Sequence, residues 1–189
     1  MGLDLLILDS EDIDEDIPFV HFTYSGYHKF KRMLVTYAIK YVENLIKNNE
    51  TNNNEYNDVK ELLSHLTNLI SSIIDLSCIR EEGYYNDKLG MLKMMNDLRN
   101  SEINKDYLIK NKCTIVELLR INKLYGIMTI IDHSDGDGFL TAGEAYDIHE
   151  TLKLLFDYVE VDDPYKNWFP DIIKFFELAS KYKKIIEYC

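Results

Sequence analysis

The stretch YHKFKRMLVTYAIKYVENLIK, residues 27–47, sets large apolar side chains at Tyr27, Phe30, Leu34, Tyr37, Tyr41 and Leu45. Steps of three and four place these on one side of a chain turning every 3.6 residues, which predicts a long amphipathic helix. Lys29, Lys31, Arg32 and Lys40 fall mostly off that side, as a solvated basic rim would. Downstream, Val59, Leu62, Leu63, Leu66, Leu69, Ile70, Ile73 and Ile74 draw a second stripe ending near Ser77. Between the two, residues 48–57 (NNETNNNEYN) are polar and lack periodicity, which predicts a loop.

Residues 80–87, around Gly83, read as a loop, and residues 88–99 as a shorter helix through Leu89, Met91, Leu92, Met95 and Leu98. Residues 114–131 are helical in pattern and increasingly apolar all round, which predicts a buried element. Further helices are expected over about 142–158 and 170–182, with Asp162-Asp163-Pro164 breaking the chain between them. Pro170 suits a first helical turn, and Trp168-Phe169-Pro170 is expected to pack that last helix onto the core.

Short apolar runs at 3–8, 18–23 and 184–189 read as strands. The run at the carboxyl end needs a partner, and residues 3–8 are the candidate. The predicted fold is mainly α: a single-domain helical bundle over residues 1–189, four to six helices, with a small β-sheet formed by the chain termini.

With 189 residues the chain can bury roughly 70% of its unfolded surface, so a core requires neither disulfide nor metal. Its charge of −12 disfavours a sequence-independent grip on nucleic acid, which needs a local excess of Lys and Arg, and disfavours an anionic membrane surface. Cys78, Cys113 and Cys189 are widely spaced and odd in number, which predicts reduced thiols in a cytoplasmic protein. The apolar start, Leu3 to Leu8, lacks a basic lead and runs into Glu11, Asp12, Asp14, Glu15 and Asp16, unlike a secretory signal. No stretch reaches the roughly 18 apolar residues of a membrane span.

One segment carries chemistry. Asp132-His133-Ser134-Asp135-Gly136-Asp137-Gly138-Phe139-Leu140-Thr141-Ala142-Gly143-Glu144 resembles the calcium loop of an EF-hand. Ca²⁺ takes six to eight oxygens, and a twelve-residue loop offers them at positions 1, 3, 5, 7, 9 and 12 with glycine at 6. Counting back from Glu144 puts Asp135 at 3, Asp137 at 5, Gly138 at 6, the Phe139 carbonyl at 7, Leu140 at the core-facing position 8 and Thr141 at 9. Position 1 is then His133, whose imidazole suits zinc, copper or nickel better than calcium.

Either Asp132 supplies the first oxygen through a loop longer by one residue, or the loop holds its shape without calcium. Met128 and Ile131 favour Asp132, whereas Ile148 and Leu152 continue from Glu144 in the ordinary register. A third reading uses His133 for a transition metal. The metal-free reading has its own logic, because Thr141-Ala142-Gly143-Glu144 is a capping box worth roughly 1 kcal/mol. No second loop is present: after Asp12, Asp14 and Asp16, Ile17 stands where glycine is required and Thr23 where glutamate is.

Met1-Gly2-Leu3-Asp4, the segment from His21 to Tyr27 (HFTYSGY), the His-Ser-Asp-x-Asp-Gly loop and a closing helix followed by an apolar strand resemble a group of uncharacterised bacterial and prophage-encoded proteins. The similarity covers both ends and is weak between residues 48 and 113. It implies that His133 belongs to the loop's pattern, and it implies a context without a mechanism.

Other chemistry is poorly represented. Ser25 between His21 and His28 lacks a nucleophile elbow and a third group, so a helix cap by Ser25 is the better reading. The aromatic and basic residues of 27–41 fit a core stripe with a basic rim better than a base-stacking surface. Adjacent carboxylates such as Glu81 and Glu82 do not converge, and no phosphate-cradling loop is present. No enzyme activity is indicated. The expected function is calcium binding, structural or regulatory, through Asp132, Asp135, Asp137, Phe139, Thr141 and Glu144. The alternative is an acidic prophage or defence accessory that binds a basic protein partner, with the loop a metal-free helix cap.

Overall fold

The two ends of the chain meet in one sheet. In the computed structural model, which describes residues 2–48, 53–73, 110–132, 138–160 and 165–189, β1 (Gly2–Ile7) pairs antiparallel with β4 (Ile186–Tyr188), Leu5 opposite Tyr188 and Ile7 opposite Ile186. This is the pairing expected for residues 3–8 and 184–189. On the other side of β1 lies β2 (Val20–Thr23), and on the other side of β4 lies β3 (Gly138–Leu140), giving the antiparallel order β2-β1-β4-β3.

Six α-helices are described: α1 (Tyr24–Asn48), α2 (Asn53–Ser72), α3 (Lys112–Ile121), α4 (Tyr125–Asp132), α5 (Ala142–Phe156) and α6 (Phe169–Lys181). The fold is therefore mainly helical, with a small sheet built from the terminal strands. The chain divides into two compact units, residues 1–27 with 120–189, and residues 28–119.

In the first unit the sheet alternates strictly, as period-two side-chain geometry requires. Leu3, Leu5, Ile7, Val20, Phe22, Leu140, Ile186 and Tyr188 are buried, while Leu6, His21 and Phe139 face outward. Helix α5 packs on α4, α6 and β3, and α6 also reaches β2. Aromatic edges fill the space between them: Phe22 meets Tyr27 at 5.3 Å and Trp168 at 4.7 Å, and Phe156 stacks on Phe169 at 5.9 Å. The Tyr27 hydroxyl donates to the Ile130 carbonyl at 3.1 Å.

The start of α1 corrects the assignment of its cap. The Gly26 amide donates to Thr23 Oγ1 at 3.0 Å, so Thr23 is the capping residue in place of Ser25. A Cβ on Gly26 would stand 2.8 Å from that oxygen, and glycine leaves the room.

The expected continuous helix over 114–131 is broken. Helix α3 stops at Ile121, Lys123 takes a left-handed φ of 59°, and its amide donates to the Arg120 carbonyl at 3.1 Å. The reason lies in α5. A Cβ on Gly126 would stand 2.5 Å from the Asp147 carbonyl oxygen, so only glycine lets α4 lie this close. The buried Thr151 hydroxyl then bridges the break, accepting from the Gly126 amide at 3.1 Å and donating to the Lys123 carbonyl at 3.0 Å.

In the second unit α1 buries a broader face than the predicted stripe over residues 30–42, while Tyr41 and Leu45 of that stripe are only half-buried. Phe30, Met33, Leu34, Val35, Tyr37, Ala38 and Val42 are all buried, and Lys31 with them. The basic rim is thus only partly solvated. Arg32 donates to the Ile70 carbonyl at 3.2 Å and the Ile73 carbonyl at 2.5 Å, adding a cationic donor to the carbonyls at the end of α2. Helix α2 begins at Asn53, earlier than the loop expected through residue 57. Asn57 and Asp58 are exposed, so polar residues suffice there, and the Lys60 ammonium lies 4.1 Å over the Tyr56 ring. The expected helix over 88–99 and the loop over 80–87 lie outside the described residues.

Candidate functional site

The acidic segment begins where α4 ends. Asp132 is the last residue of that helix, and its side chain, like His133, Asp135 and Asp137, lies outside the described residues. The segment returns at Gly138 as β3, whose register on β4 places Phe139 opposite Glu187 and Leu140 opposite Ile186. Leu140 is fully buried, as expected for an inward-facing position 8, while the Phe139 ring is exposed. Sequence reading did not foresee this strand, because three residues are too few to show alternation.

Thr141 and Glu144 come together as a complete capping box. The Thr141 hydroxyl accepts from the Glu144 amide at 3.3 Å, and the Thr141 amide and hydroxyl both donate to Glu144 Oε2 at 2.8 Å. The carboxylate also sits at the positive end of the α5 dipole. One of its two oxygens is therefore committed to the helix start.

The charge of Glu144 is felt nearby. Burial raises the Asp147 carboxyl above its ordinary range; Arg120 opposes the shift and Glu144 adds to it. Burial pushes the Tyr188 phenol strongly upward, a hydrogen bond with Tyr27 opposes this, and Glu144 again adds to it.

Other residues singled out above are engaged elsewhere. His21 Nδ1 lies 2.5 Å from Asp4 Oδ1 across β1 and β2, and its ring stacks on Phe19. Trp168 and Phe169 anchor α6 as expected. Cys113 and Cys189 are exposed and form no disulfide with a described residue; Cys78 lies outside the described residues. Among the described residues no group of three or more His, Cys, Asp or Glu is placed to hold a metal, and no helix is long and apolar enough to cross a membrane.

A second polar cluster, missed in the sequence, joins residues 8–19 to α6. Glu15 Oε2 accepts from Lys174 at 2.6 Å, and Oε1 accepts from Lys181 at 2.7 Å and the Tyr182 hydroxyl at 3.3 Å. Hydrogen bonds from Lys174 and Lys181 hold the Glu15 carboxyl down at about 2. Asp12 meets Lys184 at 2.6 Å and is lowered by that bond.

Comparison with known proteins adds no relative: no family model, no curated protein and no solved structure matches the chain.

Proposed function

We propose that residues 132–144 bind a single Ca²⁺ between α4 and α5, through the side chains of Asp132, Asp135, Asp137, Thr141 and Glu144 and the Phe139 carbonyl. The observation that carries this reading is the frame around the loop. Helix α4 runs through Asp132, α5 begins directly after Thr141, and Leu140 is locked inward by its pairing with β4. A helix reaching Asp132 favours that residue over His133 as first ligand. Four carboxylates within thirteen residues suit a hard divalent cation, and the expected affinity is micromolar to millimolar.

Glu144 gives the discriminating variant. Glutamine also completes a capping box, so Glu144→Gln keeps the helix start and removes a charged ligand. Calorimetry of chelator-treated protein is expected to show heat on adding millimolar Ca²⁺, diminished in Glu144→Gln and Asp137→Asn. Thermal stability should rise with Ca²⁺ concentration in the parent chain alone. Absence of heat in the parent chain would remove the proposal.

A second reading, an acidic accessory occupying a basic protein partner, is supported by the net charge of −12 and by a capping box complete without any ion. It requires a cationic partner that co-purifies at low salt and is released at high salt. Retention unchanged by salt would contradict it.

A further inference from the structure

Neighbouring antiparallel strands are ordinarily joined by two to five residues, yet residues 8–19 lie between β1 and β2. The excess is drawn onto the end of α6, where three donors converge on the two oxygens of Glu15. Lys174 and Lys181 are two helical turns apart and so share one side of α6, with Tyr182 at its carboxyl cap. Each ammonium takes a different oxygen, the arrangement of a receptor gripping a carboxylate at both ends. Glu177 also approaches Lys174, at 3.4 Å, and Asp12 fastens the same connection to Lys184.

We infer that Lys174, Lys181 and Tyr182 form a carboxylate-binding site that Glu15 fills in cis, and that residues 8–19 are a strap closing it against an acidic polypeptide segment presented in trans. The ligand class follows from the occupant, since a side chain that already satisfies all three donors shows which group fits them. The closing contacts are of the kind that open readily: Glu15 is 31% exposed, Lys174 38% and Lys181 57%. A strap in that state lowers the apparent affinity for an outside ligand by the fraction of time the site stands open. The overall charge of −12 repels such a ligand at long range, but at physiological ionic strength that field decays over about 8 Å, whereas the ion contacts are direct.

The test is anisotropy of a labelled hexaglutamate peptide at physiological salt. Glu15→Gln, which keeps the shape and removes the competing charge, should bind about tenfold tighter than the parent chain. Adding Lys181→Met should erase the gain, and Glu43→Gln, which changes the net charge equally at an exposed position on α1, should not reproduce it. Amide exchange in Glu15→Gln should quicken within residues 8–19 only. Should that variant fail to fold, Glu15→Asp, shorter by one methylene, carries the same expectation at smaller size. Equal binding by parent and variant, a gain that survives Lys181→Met, or a gain matched by Glu43→Gln would each overturn the inference, as would an equal gain for inorganic phosphate.

Discussion

The α4–α5 crossing and the strap over α6 are two attachments within one unit, made from opposite materials. At the crossing, backbone meets backbone: Gly126 lies where a Cβ would be 2.5 Å from the Asp147 carbonyl, and Thr151, 1% exposed, spends its hydroxyl on two main-chain groups. At the strap, a part-exposed carboxylate meets the part-exposed Lys174 and the exposed Lys181. Removing a partner from the crossing leaves a donor or acceptor that water cannot reach, whereas every group at the strap can return to solvent. The first attachment fixes how the helices cross, whereas the second rests on ion contacts that solvent screens.

The crossing offers the largest effect. Gly126→Ala drives a methyl group into the backbone of α5 and should destabilise the protein by about 3 kcal/mol, lowering Tm by roughly 10 °C in a thermal melt. Gly143→Ala is the matched control. The nearest atom to its added Cβ is Thr141 Oγ1 at 3.9 Å, and in the first turn of α5 alanine should stabilise by about 0.5 kcal/mol. A similar loss in both variants would mean that close approach at Gly126 is not the cause. Next in size is Thr151→Val, nearly isosteric, which strands the Gly126 amide and the Lys123 carbonyl and should cost about 2 kcal/mol by denaturant titration.

Much of the fold was legible because its signals are local or repeated. The stripes of α1 and α2 recur over many turns, and the paired ends were betrayed by apolar runs too short for helices. The break between α3 and α4 was not legible, because Gly126 reads as a neutral interior residue until α5 is placed beside it. The stop itself uses Lys123 where glycine is usual. Lys183 repeats the device after α6: φ is 55°, its amide donates to Ser180 and that of Lys184 to Ala179, a Schellman motif with lysine at the left-handed position. Nothing in a lysine announces positive φ. Lys123→Gly and Lys183→Gly should therefore each stabilise by about 0.5–1 kcal/mol, measurable as a small rise in Tm. In the candidate loop, Thr141 and Glu144 form the capping box their spacing predicts, since that motif is written within four residues, and Leu140 is buried as expected. The strap was hidden for the contrary reason, because Glu15 and Lys174 are 159 residues apart.

The smallest effect belongs to the strap and is one of pH. Glu15 has its folded value lowered from 4.5 to about 2 by its bonds to Lys174 and Lys181, so its contribution is complete above about 4.5 and is lost as pH falls towards 2. The lysines are shifted the other way: hydrogen bonds to Glu15 raise both above 10.5, so their contribution is complete below 10.5 and fades as pH rises through the raised values. Between these limits the clamp is closed. A carbon-detected titration of the Glu15 carboxyl should give a midpoint near 2, and Lys181→Met should move it upward while leaving the Tm of the α4–α5 crossing variants unchanged relative to their own parent. A midpoint above 4 in the parent chain would mean that the three donors do not hold the carboxylate in solution, and the contrast between a fixed crossing and a releasable strap would lose its second half.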